Sequence, residues 1–193
     1  MNNKIQYDVI YDSDIESGIS QKDYPIILFP YTIAISEKAY SSVIKYCENG
    51  GSVISFGEFS THNNKSIFTG WDRFESLFGV RYSGRVMQSE MNVRVDFADY
   101  TPLTGSLSEK KDILITAINS PIITEPLSRN TLSIGRFYPD NVNGSENESS
   151  FVLRSDTESK KLWFSFDPTE VIGGKSELNA IQSIIQNAIS WFR

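Results

Sequence analysis

Glu58, His62, Asp167 and Cys47 are the side chains through which this chain has most scope for chemistry; the last is its only cysteine and His62 its only histidine. Asp167 closes the stretch WFSFDPTE (163–170), a strand of alternating bulky residues that stops on Asp-Pro. In open α/β sheets, ligands gather at the carboxyl ends of strands. An acid there serves as a catalyst, a ligand anchor or a turn former. Glu58 follows another apolar strand, SVISFG (52–57), and His62 sits just beyond it in the polar loop FSTHNNKS. If strand ends bring Glu58, His62 and Asp167 together, the trio can hydrogen-bond a polyol or sugar, or serve a hydrolase. The simpler reading has Asp167 accepting backbone N–H bonds in its turn and His62 on the surface, since one histidine without a second ligand or a serine partner defines no site.

Other combinations offer less. Asp12 with Asp14, and Asp96 with Asp99, are carboxylate pairs of the type used in glycoside cleavage, which needs a separation of about 5 to 9.5 Å. Their position beside strand ends reads as turn formation instead. No Gly-x-Gly-x-x-Gly, phosphate loop or His-Glu-x-x-His stretch is present, so neither cofactor nor metal is expected. One cysteine allows no intrachain disulfide and no thiolate metal site. Tyr31, Phe59, Phe68, Trp71 and Phe74 follow strand ends, where a sugar can stack on an exposed ring. The helical spacing of Trp71, Phe74 and Phe78 points to core packing. Asn143 and Asn147 open glycosylation sequons that matter only in a eukaryotic secretory setting.

The elements that must position these groups follow from periodicity. YDVIYDSD (7–14) reads as a strand and turn, and PIILFP (25–30) as a strand apolar on both faces, covered by helices on each side. Ser36 caps a helix through Cys47 that Gly50 and Gly51 stop, and SVISFG follows at once, giving a βαβ unit. WDRFESLFGV (71–80) reads as a short helix closed at Gly79. Strands are expected at 91–97, 112–118, 131–137, 150–155 and 161–166, with loops at 101–107 and 138–149. The final helix, 176–193, lays Leu178, Ile181, Ile185, Ala188 and Phe192 along one stripe. With 193 residues, one domain spanning 1–193 is expected. A net charge of -6 without a basic cluster argues against nucleic acid. MNNKIQYDVIYDSD has no signal-peptide pattern and no window suits a membrane span. A soluble protein is expected, cytoplasmic by default and extracytoplasmic if the chain is a fragment of an exported one.

The run YPIILFPYTIAISEKAYSSVIKYCENGGSVISFG, together with the tail strand ending Phe-Asp-Pro and its helix carrying Asn187, Ala188 and Trp191, resembles the class I glutamine amidotransferase-like superfamily. It is most similar to non-amidotransferase members: the trimerisation domain of family 42 β-galactosidases, ThuA-like domains, and domains attached to polysaccharide deacetylases. The resemblance covers about two thirds of the chain and is strongest over 24–58 and 161–192. It implies a flavodoxin-like α/β fold, a mostly parallel sheet with flanking helices and additional antiparallel strands in the second half. The superfamily's first strand and helix have no counterpart before Tyr7. Its nucleophilic cysteine belongs on the sharp turn after SVISF, where Phe56 and Gly57 stand. Its histidine belongs where Asp167 stands. Both partners of acylation chemistry are therefore missing from the matching positions, and Cys47 lies on the apolar stripe of a helix, where burial keeps a thiol inert. The resemblance implies a catalytically inactive binding or assembly module associated with carbohydrate processing, with a protein partner or self-association through the face away from 56–62. Its candidate ligand-binding residues are Tyr31, Glu58, His62 and Asp167. The alternative is a hydrolase rebuilt around Glu58, His62 and Asp167.

Overall fold

A computed structural model describes residues 6–86, 92–97, 102–105, 112–116, 120–138, 149–172 and 175–193. Three strands form its parallel centre: β1 (Ile26–Pro30), β2 (Ser52–Phe56) and β9 (Lys160–Phe164), paired β1 to β2 and β2 to β9. Between β1 and β2 runs α2 (Glu37–Glu48), whose start is fixed by Ser36: its Oγ accepts the Ala39 N–H at 3.0 Å. Ala39, Val43, Tyr46 and Cys47 make its buried stripe. The α/β, flavodoxin-like architecture expected from the sequence is the one observed.

From β9 the sheet continues antiparallel through β8 (Ser149–Ser155), β7 (Thr131–Tyr138), β4 (Asn92–Phe97), β5 (Asp112–Thr116) and the short β10 (Val171–Ile172). β3 (Val80–Arg85) and β6 (Ile122–Pro126) pair with each other, and β6 touches β8 at Thr124 and Ser149. Strand alternation sorts the core into two layers. Leu162 and Phe164 of β9, Ile54 and Phe56 of β2, and Phe151 and Leu153 of β8 pack with Ala180, Ile181, Ile184 and Ala188 of α4 (Lys175–Phe192). Val53, Trp163 and Val152 face the other way, with α2 and with Phe74, Leu77 and Phe78 of α3 (Asp72–Phe78). Gly79 closes α3 in the left-handed region at φ 66°.

Three expectations are corrected. Residues 12–17 form a short helix, α1 (Asp12–Ser17), because Asp14 takes the Tyr11 N–H at 2.7 Å and places its charge at a helix start; the stretch before it pairs with no strand among the described residues. β1 is fully covered on one face only: Ile27 and Phe29 are buried against α2, whereas on the other face Ile26 is partly buried against the α4 layer and Leu28 is 44% exposed, β1 standing at the end of the described strand order where that layer runs out. Strands β3, β6 and β10 add to those the sequence pattern shows. Most of the 138–149 loop, including Asn143 and Asn147, lies outside the described residues, as does Asp99 beyond β4.

Candidate functional site

The carboxyl ends of β1 and β2 converge on one turn. Gly57 leaves β2 at φ 62°, with its N–H on the Phe164 carbonyl at 2.8 Å and its carbonyl accepting from Trp163 Nε1 at 2.7 Å. Beside it Tyr31 leaves β1, also in the left-handed region at φ 47°, with its N–H on the Phe56 carbonyl at 3.1 Å. A Cβ built on Gly57 meets Tyr31 Cδ2 at 2.2 Å. The turn is sharp and left-handed, and the Tyr31 ring fills the space that a side chain on residue 57 would need.

Glu58 comes next and is buried, 7% exposed. A buried carboxylate is tolerated only when paired and hydrogen-bonded. One oxygen accepts from the Thr61 hydroxyl and the other from Arg85 Nη2. Arg85 comes from β3 and also donates Nη1 to the Ser120 carbonyl at 3.2 Å. Its guanidinium lies 5.4 Å from the centre of the Trp71 ring, and Trp71 stacks on Tyr82 at 4.0 Å with planes 5° apart. These contacts fix Arg85 to the carboxylate and an aromatic face.

Thr61 links Glu58 to His62. Its Oγ1 lies 2.9 Å from His62 Nδ1, which is 3.7 Å from Glu58 Oε1. The loop holding them is pinned by backbone bonds: His62 N–H to Ile33 carbonyl at 3.0 Å, Ile35 N–H to His62 carbonyl at 3.2 Å, and Thr69 N–H to Thr61 carbonyl at 2.8 Å. Asn63 Oδ1 closes the turn by accepting from Lys65 and Ile67 N–H. The His62 side chain is 28% exposed, and its ring meets Phe68 edge-on at 5.4 Å. Around it, Ile33, Ile67 and Phe68 are exposed, the last by 55%.

Asp167 is placed differently. Its described bonds go to Thr169, from the N–H at 2.7 Å and the hydroxyl at 2.6 Å, starting the 3-10 turn Pro168–Glu170. The structure therefore brings Glu58 and His62 into one cluster, sets Tyr31 over the adjacent turn, and gives Asp167 two bonds within its own turn. Sequence reasoning missed Thr61, Arg85 and the stacked pair Trp71 and Tyr82 as parts of this cluster. Of the aromatic candidates, Phe59 and Phe74 are wholly buried in the core.

Cys47 lies toward the amino end of β9, in a recess shared with Lys161, Asp156 and Arg154. Burial pushes its thiol up to about 11, with the Lys161 charge opposing. Among the described residues no group of three His, Cys, Asp or Glu side chains is placed to hold a metal ion, and no helix is long and apolar enough to cross a membrane.

No protein-family model matches the chain, and no curated protein matches it in sequence. Solved structures share its fold. A β-galactosidase from Bacillus circulans sp. alkalophilus superposes with a TM-score of 0.64 at 8% identity, over 90% of this chain and 23% of that one. A cytoplasmic protein from Salmonella typhimurium matches with a TM-score of 0.62 at 11% identity, over 93% and 78% of the two chains. A putative GMP synthase component from Thermoplasma acidophilum matches with a TM-score of 0.53 at 13% identity, over 93% and 79%. The chain spans about a quarter of the length of the β-galactosidase it matches. At these identities the likeness is one of fold.

Proposed function

We propose that this chain is a catalytically inactive, amidotransferase-like domain, one unit over 1–193, that serves as a binding or assembly module in carbohydrate processing. The observation that carries the reading is the Tyr31 ring standing where a side chain on Gly57 would go. An acyl-transfer site needs a nucleophile on that turn and a base within hydrogen-bond reach. Gly57 supplies no nucleophile, and Asp167, at the position of the base, is turned to Thr169. The carbohydrate association is supported by fold likeness to β-galactosidases, which is analogy.

The assembly role is supported by a groove of about 660 Å³ along the outer side of β1. Its walls include Tyr7, Val9, Ile26, Leu28 and Ile189. Tyr7 and Val9 are 80% and 70% exposed, and among the described residues β1 pairs on one side only. An apolar surface beside an open strand edge favours association.

One observation favours the second reading, a hydrolase: the Glu58, Thr61, His62 chain orients an imidazole as a general base would be oriented. Turnover assays separate the two. The purified chain, incubated with glutamine, p-nitrophenyl esters and p-nitrophenyl glycosides, is expected to release product at the buffer rate. Hydrolysis that disappears in both Glu58→Gln and His62→Ala would overturn the inactive reading in favour of the hydrolase.

A further inference from the structure

The polar chain beneath His62 determines which hydrogen bond that residue has to offer. Glu58 is ion-paired to Arg85, so its carboxylate can only accept. The single Thr61 hydroxyl proton is directed to Glu58 Oε1. Thr61 Oγ1 therefore has only lone pairs to show His62 Nδ1, 2.9 Å away. Nδ1 must carry the ring proton and donate it. In the neutral imidazole this leaves Nε2 with a lone pair, and Nε2 makes no hydrogen bond among the described residues.

The surroundings narrow what Nε2 accepts from. Phe68 packs against the His62 ring and is more than half exposed, with Ile67 exposed beside it. The nearby cation is already engaged: both terminal nitrogens of Arg85 are bonded, one to Glu58 and one to the Ser120 carbonyl. The nearby carboxylate is buried and occupied on both oxygens. Glu58 and Arg85 neutralise each other, so neither offers a free counter-charge to an ion, and a net charge of -6 further disfavours anions. What fits is a neutral ligand with one apolar face and hydroxyl donors at its rim, which is the chemistry of a pyranoside.

We infer that His62 is held as the Nδ1–H tautomer by Thr61 and Glu58, and that its Nε2 accepts a hydroxyl from a neutral pyranoside whose apolar face rests on Phe68. His62 and Phe68 are the binding residues, and Thr61 and Glu58 are positioning residues. This inference rests on the binding-module reading above and names its ligand class and contact point.

Because the chain has one histidine, nitrogen NMR of the ¹⁵N-labelled protein reads its tautomer without assignment. At a pH where the ring is neutral, the expected spectrum shows protonated Nδ1 and unprotonated Nε2. Thr61→Val removes the acceptor and should shift the ring toward the Nε2–H form that free imidazole side chains prefer, while Thr61→Ser restores the wild-type spectrum. A wild-type ring protonated on Nε2 overturns the inference, even if no variant folds. Titration with methyl glycosides of glucose, galactose and mannose should then move the His62 and Phe68 signals saturably. Sorbitol, with hydroxyls but no ring face, should not. His62→Ala and Phe68→Ala should each weaken binding about tenfold, the scale of one hydrogen bond or one ring contact. Saturable binding that leaves both residues unmoved overturns this site while leaving the binding-module reading in place. Absence of binding by all three glycosides overturns the site, and the module reading then rests on assembly through the β1 groove.

Discussion

Replacing Gly57 by Ala tests whether Tyr31 plugs the turn. Two costs add. The backbone at Gly57 has φ 62°, where a side chain costs about 1 to 2 kcal/mol. The new methyl would stand 2.2 Å from Tyr31 Cδ2 and 2.4 Å from Cε2, against the roughly 3.5 to 4 Å at which carbons rest. The ring has to move, and overpacking of this sort costs about 1 to 3 kcal/mol. Gly57→Ala should therefore lose about 2 to 5 kcal/mol. Tyr31→Ala opens the space, so in the double variant only the backbone cost and the lost ring packing remain. The double variant should be less destabilised than the sum of the singles by about 1 to 3 kcal/mol, which is the overpacking cost returned. Urea denaturation followed by tryptophan fluorescence measures this, with Trp163 bonded directly to the Gly57 carbonyl. Additivity within about 0.5 kcal/mol, the scatter expected for independent sites, would show that the ring does not occupy the turn and would remove the main support for an inactive site.

Asp167→Ala should lower stability by about 0.5 to 2 kcal/mol through loss of the Thr169 bonds, seen as a lower Tm, with glycoside binding unchanged; a variant that melts like the parent refutes its turn-forming role. The Cys47 thiol, raised by burial from its ordinary 9.0 to about 11, keeps its proton longer folded than unfolded. Its stabilising contribution is whole below pH 9.0 and is lost as pH rises through about 11, so Cys47→Ala should flatten that limb of the stability curve, and alkylation of native protein at neutral pH should be slow. Burial alone would raise the Asp156 carboxyl, but bonds from Lys161 and Arg154 outweigh it and hold it below its usual range. Its contribution is present above the ordinary carboxyl value and lost as pH falls through the depressed one, and urea melts of Asp156→Asn should show a shallower acid limb. Leu28→Lys, on the exposed face of β1, should leave stability within about 0.5 kcal/mol of the parent and abolish any self-association seen by sedimentation velocity; association that survives it places the interface elsewhere.

The parallel centre was legible because each of its signals is local. Ser36 is a cap three residues from the amide it binds, the α2 stripe repeats at helical spacing, and SVISF and KLWF are short apolar runs bounded by turn formers. The errors arose where a signal depends on neighbours in space. PIILFP is apolar throughout, which describes a doubly covered strand and an edge strand equally well; only the sheet order shows that β1 pairs with no strand but β2 among the described residues. YDVIY has strand composition, but strand formation needs a partner, and Asp14 draws the chain into a helix just after it. β3 was hidden by Gly84, where the register against β6 shifts, and β6 by the prolines at 121 and 126 that bracket it.

The same division explains what could be read of the site. Glu58 and His62 are four apart on one loop, so the sequence could place them together, and Asp167 showed its turn chemistry in the Asp-Pro-Thr run that it opens. Arg85 could not be found in this way. It is 27 residues from Glu58, in a run that reads as an irregular strand, and it reaches the carboxylate only because β3 pairs with β6 instead of joining the parallel centre. Yet Arg85 decides the chemistry. By ion-pairing Glu58 it fixes the carboxylate as an acceptor, Thr61 then spends its proton on Glu58, and His62 is left with its lone pair on Nε2. A residue that the sequence gives no reason to choose sets the tautomer of the one histidine. Replacing Arg85 by Met should therefore alter the nitrogen spectrum of His62, to which it makes no direct bond, more than Phe68→Ala, which removes a ring that His62 does touch.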